Sequence, residues 1–398
     1  MSRAIRVLSL YEGFFAGGAR IVHTDIVAGL HAGGGQNHAV LSLTSKARRE
    51  STVQRSRDDP RYRRLASAGV PVHSLRRTAG SEPPERSAFT DRELRIARRV
   101  VQGSDVVLSL KEQPLGLLLA LRDRGMMPDI PVAACLHRSD PTHSGAALGW
   151  LDEAAATGLV TATISCAEST GDAYSRLANL SIPRHIIANG IDTERFRPGT
   201  TLEVAATRQR LGIPAEAPVI VYAARFDAMK NPGLFLRALA THSRQRPETH
   251  YILCGAGMTW GNAAFRALTE ASGVPAAVHM HALGIREDMP AIYQTADIVA
   301  LTSAFGEASP LCLLEGAACG ATPVTTSVGD SARQVHGIGV VTSHDHDEIA
   351  AAWQSVLENR EDLRATALSA RPRIGRDRMI SEYRAAVHGL LQIESAAA

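Results

Sequence analysis

The chain holds 398 residues, of which 45% are hydrophobic, 21% charged and 5% aromatic, and its 43 basic and 40 acidic side chains leave a formal charge of +3. That apolar content excludes wholesale disorder, and the near balance of charge argues against a general nucleic-acid binder. The longest apolar stretch, around Leu115 to Leu121, is far shorter than the ~20 residues that span a bilayer; the N-terminal region, with Gly17, Gly18 and one strand-like run, does not read as a signal peptide; and Cys135, Cys166, Cys254, Cys312 and Cys319, without CxxC spacing, read as reduced core thiols of a cytoplasmic protein.

At roughly 150 residues per domain the length suggests two domains. Short β-branched or leucine-rich runs recur at Ile5–Leu10, His38–Leu43, Asp105–Leu110, Val132–Leu136, Thr161–Ser165 and His185–Ala188. After Pro198 the rhythm restarts at Val219–Ala223, His250–Cys254, Ala277–Met280, Ile298–Thr302, Thr322–Thr325 and Gly339–Val341. Consecutive apolar positions suit strands buried on both faces, and strand–helix alternation implies parallel sheets with right-handed crossovers. The break at Arg197-Pro198-Gly199 divides the runs into two similar halves. The expected fold is α/β: two doubly wound, Rossmann-like domains, 1–197 and 198–375, facing a cleft. Ile380, Tyr383, Val387, Leu390 and Leu391 recur at helical spacing, so 376–398 reads as a helix closing back toward the first domain.

The segment Thr44–Arg77 interrupts this rhythm. It holds ten Lys or Arg against three acids, Glu50, Asp58 and Asp59, and few apolar residues. It reads as a mobile loop. Two readings of it are open: a solvated insertion, or a flap over an anionic acceptor or a membrane surface.

The richest chemistry lies between Leu283 and Thr326. If Glu307 sits in the loop after the strand Ile298–Thr302, a helix opens near Pro310 and Glu315 lies about one turn in. The unsatisfied amides at that helix start form an anion site. A carboxylate on either side of it suits a ligand with phosphates in its middle and hydroxyls at both ends, such as a sugar nucleotide. On spacing alone, two such glutamates are more often caps or surface residues. Arg225 and Lys230 follow the strand Val219–Ala223, where open α/β sheets bind ligands, and can grip phosphate oxygens.

The stretch Ala188-Asn189-Gly190-Ile191-Asp192-Thr193-Glu194-Arg195-Phe196-Arg197-Pro198 resembles the interdomain signature of GT-B glycosyltransferases of family 4. The Arg225/Lys230 loop, Leu253-Cys254-Gly255-Ala256-Gly257, the Glu307-x7-Glu315 spacing and Ala317–Thr325 resemble the same family, in its order. Ala16-Gly17-Gly18-Ala19 resembles its first glycine loop and Leu136-His137 its cleft histidine, although Arg20 stands where an acid commonly follows the glycines. The resemblance implies a retaining transfer of a hexose-like sugar from a nucleoside diphosphate to an acceptor hydroxyl. It implies that Glu315 holds the ribose, Glu307 faces the donor sugar, and Arg225 and Lys230 hold the diphosphate. It places Gly17, Gly18, Ile285, Ser309, Leu311 and Cys312 at the donor, and His137 in the catalytic cleft. Arg138, Asp140 and His143, near His137, are the candidates for the acceptor. Cationic side chains and helix-end amides stabilise a leaving diphosphate, so neither a metal nor another cofactor is required.

Other motifs read differently. Gly255-x-Gly257-x-x-x-Gly261 has the look of a dinucleotide fingerprint, but the next strand ends without the acid that would hold a ribose. Asp345-His346-Asp347 has the form of a metal-binding Asp-x-Asp, yet it immediately precedes a helical run and reads as an N-cap. His279 and His281 read as an alternation turned to the surface. Two rival functions stand beside glycosyl transfer: a sugar-nucleotide-binding protein without catalysis, and a membrane-surface protein, including a transferase acting on a lipid acceptor, that uses the basic segment 44–77.

Overall fold

The computed structural model describes residues 3–397 apart from 16, 50, 51, 81 and 179. Two compact units emerge, one of residues 1–189 with 376–398, the other of residues 190–375.

The first unit is built on β1 (Ile5–Tyr11), β2 (Gln36–Arg49), β3 (Thr52–Arg55), β4 (Val72–Ala79), β5 (Val106–Leu110), β6 (Val132–Leu136), β7 (Ala162–Ser165) and β8 (Arg184–Ile186). They lie in the order β3-β2-β1-β5-β6-β7-β8, with β4 also on β2, and every pairing except β2 with β3 is parallel. All five residues of β5 and of β6 are buried, which explains the unbroken apolar run of β6 and the single serine, Ser109, in β5. The strand order reverses between β1 and β5, and the crevice there is where such sheets take ligands.

The second unit carries β9 (Val219–Ala223), β10 (His250–Cys254), β11 (His279–Gly284), β12 (Ile298–Leu301), β13 (Thr322–Thr326) and β14 (Val340–Thr342), in the order β11-β10-β9-β12-β13-β14. All are parallel, and the reversal falls between β9 and β12. Its core packs Tyr222, Phe235, Tyr251 and Trp353, all fully buried, against the sheet.

Three expectations need correction. The first concerns the basic segment 44–77, which is not a loop. It contains the end of β2, all of β3, a helix Pro60–Ser67 and most of β4. Fully buried Asp59 caps that helix, accepting from Arg61 N at 2.9 Å and from the Arg61 guanidinium, while Leu65 and Val70 are buried beside it. A few anchors suffice to order a charged stretch when a parallel strand pair provides the backbone bonds, and the local composition hides this. Glu50 lies outside the described residues, as does Ala16 of the glycine loop.

The second concerns the boundary, which falls after Asn189 instead of Arg197. Arg371 donates to the carbonyls of Thr193, Phe196 and Ala318 at 2.6, 2.9 and 2.7 Å, and Ile191 N bonds Ile374 O at 3.0 Å, so 190–197 is tied to the second unit. The helix Arg376–Ala397 counts with the first unit, burying Met379, Tyr383, Val387 and Leu390 there; a Cβ on Gly29 would come within 2.3 Å of Ile380. The third concerns Ala277, which precedes β11; the strand starts at His279 and runs on to Gly284.

Candidate functional site

The crevice of the second unit is built by the loops after β9 and β12. Lys230 and Glu307 form an ion pair across it, with side chains only 15% and 6% exposed. Two backbone devices aim Lys230. Its N–H donates to Asp227 Oδ1 at 3.0 Å, and its carbonyl accepts from Tyr222 Oη at 2.5 Å. Asn231 then turns left-handed (φ 50) and caps the helix Pro232–Gln245. Glu307 Oε1 also accepts from Ser303 Oγ, and the Ser303 carbonyl is itself held by Thr326 Oγ1 at 2.7 Å and His344 Nε2 at 3.0 Å. Arg225 is exposed and pairs with Asp227 at 2.9 Å.

Two glycines allow these loops to close on the sheet. Gly255 at φ 137 lets the backbone of Ala224 pass, where a Cβ would meet Ala224 O at 2.0 Å. Gly329 at φ 57 does the same for the Glu307 loop, where a Cβ would meet Glu307 O at 1.7 Å. Both positions combine a left-handed conformation with backbone contact, which a side chain cannot satisfy.

Beyond Glu307 the chain enters the helix Leu311–Cys319 through Pro310, with no side-chain cap and no acid in its first turn. The amides of Leu311 and Cys312 therefore head a helix whose positive end is not neutralised by its own side chains. The Cys312 thiol is pushed up to about 12 by burial, so it stays protonated there. Ser309 Oγ accepts from Gln334 Nε2 at 3.1 Å. Glu315 keeps part of its surface open but is otherwise crowded by protein. This desolvation raises its carboxyl to about 7, against the opposing hydrogen bond from Tyr293 and the charge of Arg195. Ile285, 77% exposed, follows β11 at the same end of the sheet.

The first unit gathers a second set of charged groups after β1, β5 and β6. Arg20, 6% exposed, donates to Gly13 O and Glu12 Oε2, both at 2.9 Å, and lies over the Phe15 ring. Gly17 and Gly18 lead into its helix, Gly18–Ala32, again without a side-chain cap. Lys111 sits at φ 66, unusual for a residue with a Cβ. Burial, with Arg138 and Arg20 nearby, lowers its amine to about 8. Glu112, fully buried, accepts from Ser144 Oγ and pairs with Arg138 Nε at 3.4 Å. His137 is lowered to about 3 by burial and by the Lys111 charge, and its Nε2 has no hydrogen-bond partner among the described residues. It is neutral at physiological pH. Asp140 is engaged locally: it accepts from Thr142 N at 3.0 Å and pairs with His143 at 3.1 Å.

The sequence singled out Glu307, Lys230, Arg225, Ser309, Leu311, Cys312, Glu315 and Ile285, and the fold gathers them at one end of the second sheet. Sequence reasoning missed Tyr293, Ser303, His344, Arg20's inward turn, Lys111 and Glu112. A usable signal existed for the last two: charged residues directly after a fully buried, mostly apolar strand. Asp345 caps the helix His346–Glu358 by accepting from Asp347 N and Glu348 N at 2.8 and 3.0 Å. His279 and His281 face one side of β11 and stack on His250, with ring centroids 4.4 and 5.2 Å away. Among the described residues no helix is long and apolar enough to cross a membrane.

Residues 203–372 match the family model of the glycosyl transferases group 1. A D-inositol 3-phosphate glycosyltransferase of Corynebacterium kroppenstedtii is 31% identical over 193 residues, 44% of this chain and 41% of that protein. One from Thermobispora bispora is 30% identical over 195 residues, 46% of this chain and 45% of that one. The chain thus spans less than half the length of these curated relatives. Among solved structures, Anabaena HepE in complex with UDP superposes with a TM-score of 0.76 at 19% identity, covering 97% of this chain and all of that one; its UDP-glucose complex gives 0.74. Likeness at that identity is likeness of fold, and the fold is GT-B: two Rossmann-like units on parallel sheets.

Proposed function

We propose that the protein is a glycosyltransferase that moves a hexose-like sugar from a nucleoside diphosphate to an acceptor hydroxyl. The observation that carries this is the Lys230–Glu307 pair spanning the β9/β12 crevice beside the uncapped start of the helix Leu311–Cys319. A buried ion pair is a poor stability device, since desolvating both charges offsets most of their attraction. Next to an anion-binding helix end it is a device for function: an incoming diphosphate takes Lys230 as partner and leaves Glu307 to face the sugar. Arg225, exposed on the same loop, adds a second cation. As the sugar–phosphate bond breaks, charge builds on the departing phosphate, and fixed donors already aimed there lower the barrier. Glu315, steered by Tyr293, accepts from the ribose hydroxyls.

In this proposal the base is uracil, because HepE was solved with UDP and UDP-glucose. The reaction retains anomeric configuration, as the resemblance to family 4 implies. Lys230 and the amides do the work of a metal, and the protein acts in the cytoplasm. A thermal-shift series with UDP-, GDP-, ADP- and dTDP-glucose tests the donor. The favoured nucleotide at about 100 times its dissociation constant stabilises by about 2.7 kcal/mol. No shift with any of the four, in wild type, defeats the proposal.

A further inference from the structure

Three histidines meet on one face of the second sheet, at the start of its edge strand and away from the crevice. His279 and His281 are two apart on β11, so their side chains leave the strand on the same side, while Met280 and Ala282 turn to the core. His250, the first residue of β10, stands opposite His279 in the parallel register, and Ile252 stands opposite His281. The three rings gather accordingly. His250 stacks on His279 with centroids 4.4 Å apart and planes at 5°, and on His281 at 5.2 Å and 16°. His250 Nδ1 lies 2.9 Å from His281 Nε2.

The protonation of these rings suits ligation. Burial lowers His250 to about 4, helped by His279, His281 and Arg208; burial, then His279, lowers His281 as well. Both are neutral at physiological pH, the form in which imidazole binds a metal. Arg208 is committed to the carbonyls of Pro214, Ala215, Ala217 and Thr295. Grouped imidazole nitrogens suit zinc and its transition-metal neighbours, whereas magnesium and calcium seek oxygen.

The spacing is close to what zinc requires. Two nitrogens on one tetrahedral zinc, each at about 2.05 Å, stand about 3.3 Å apart. His250 Nδ1 and His281 Nε2 therefore need to part only slightly. The proton between them moves to the far nitrogen of its own ring, so both facing lone pairs are freed and no net proton is released. Among the described residues no three His, Cys, Asp or Glu side chains already form a metal centre. The third ring is the reason: His279 lies flat on His250 and must turn to bring a nitrogen to the same point. It is exposed on the edge strand, where a rotamer change meets little resistance.

We propose that His250, His279 and His281 form a zinc site, completed by water, that fastens the edge strand β11 to β10. β11 has a neighbouring strand on one side only, and a metal shared by the pair strengthens that single attachment. The site is structural. Ile285, at the donor end, lies four residues beyond His281, about 13 Å along a strand, so the zinc takes no part in the proposed transfer. The inference does not rest on the glycosyltransferase reading.

The test titrates the full chain, stripped with EDTA and dialysed, with zinc chloride and, in parallel, magnesium chloride by calorimetry. It compares wild type, His279→Gln, His279→Gln/His281→Gln, and a control, His346→Gln, in the Asp345-His346-Asp347 segment. Wild type should bind one zinc and no magnesium. His279→Gln should weaken zinc at least tenfold, the double variant should abolish binding, and the control should bind as wild type does. Zinc should raise the melting temperature of wild type and leave that of the double variant unchanged. Circular dichroism in EDTA checks the fold: unchanged spectra in the variants assign the loss to the ligands. If the double variant unfolds, the exposed His279→Gln alone decides. The proposal is overturned if wild type shows no saturable zinc binding, if His279→Gln binds zinc as tightly as wild type, or if the loss appears in His346→Gln instead.

Discussion

At the β9/β12 crevice each cation has its own carboxylate, Lys230 with Glu307 and Arg225 with Asp227, and further positive field comes from helix-end amides. At the β1/β5 crevice Arg20 and Arg138 are answered by Glu12 and Glu112, while Lys111, crowded by its neighbours and held at positive φ, has no carboxylate partner of its own among the described residues. Both crevices lie where their sheets reverse strand order. One adds helix-end amides to its ion pairs, and amides recognise phosphate whatever side chains surround them. The other is built from side chains, which can be exchanged to suit a different substrate. On the proposed function this separates an unspecialised donor half from an acceptor half whose specificity rests on a few cations.

The largest expected effect is at the first of these. Lys230→Ala removes a donor aimed at the leaving phosphate and should lower kcat by roughly 10²–10³. Glu307 would also be left buried without its cation, so the melting temperature should fall. In Lys230→Ala/Glu307→Gln the stability should recover and the turnover should not. Full turnover in Lys230→Ala would mean that the crevice pair is structural.

Lys111→Gly tests the second crevice. Glycine accepts φ 66 without strain, and the change removes a desolvated amine, so the fold should gain up to about 1 kcal/mol by urea denaturation. Because the folded amine is lowered to about 8 from 10.5, the wild type gains stability as pH rises between those values, and the variant should lack that rise. Acceptor KM should increase several-fold with donor affinity unchanged. A loss of stability instead would make Lys111 a fold residue and erase the contrast between the crevices.

A smaller effect belongs to Glu315. Its carboxyl titrates near 7 in the ligand-free protein, and ribose hydroxyls need the ionised form as acceptor. UDP affinity should therefore fall as pH drops below 7, approaching tenfold per unit, and Glu315→Gln should flatten that dependence at a several-fold weaker affinity. The same shift carries an opposite sign for folding. The unfolded chain releases this proton near 4.5, before the folded one does, so stability without ligand declines as pH rises from 4.5 to 7. Calorimetry across pH 5.5–8 would read the first effect; a pH-independent dissociation constant would detach Glu315 from the nucleotide.

Most of the alternating α/β layout was legible in the sequence, because strands buried on both faces must be apolar at successive positions, as in β6 and β9. The candidate residues of the second crevice were legible for a related reason: Glu307, Ser309, Leu311, Cys312 and Glu315 lie on one strand–loop–helix passage, so their spacing already fixes their neighbourhood. The basic segment was not, since Leu65, Val70 and a buried Asp59 are too sparse a pattern to announce a helix and two strands. Nor was the first crevice, which joins Glu12, Lys111, Glu112 and Arg138 from three separate loops with Arg20 from a helix. Local chemistry thus determined the two halves, their sheets and the anion-binding helix start. Which cations are spent on the fold and which stand unpaired among the described residues was decided only by tertiary structure, because a charge is satisfied or left over according to what the folded chain brings beside it.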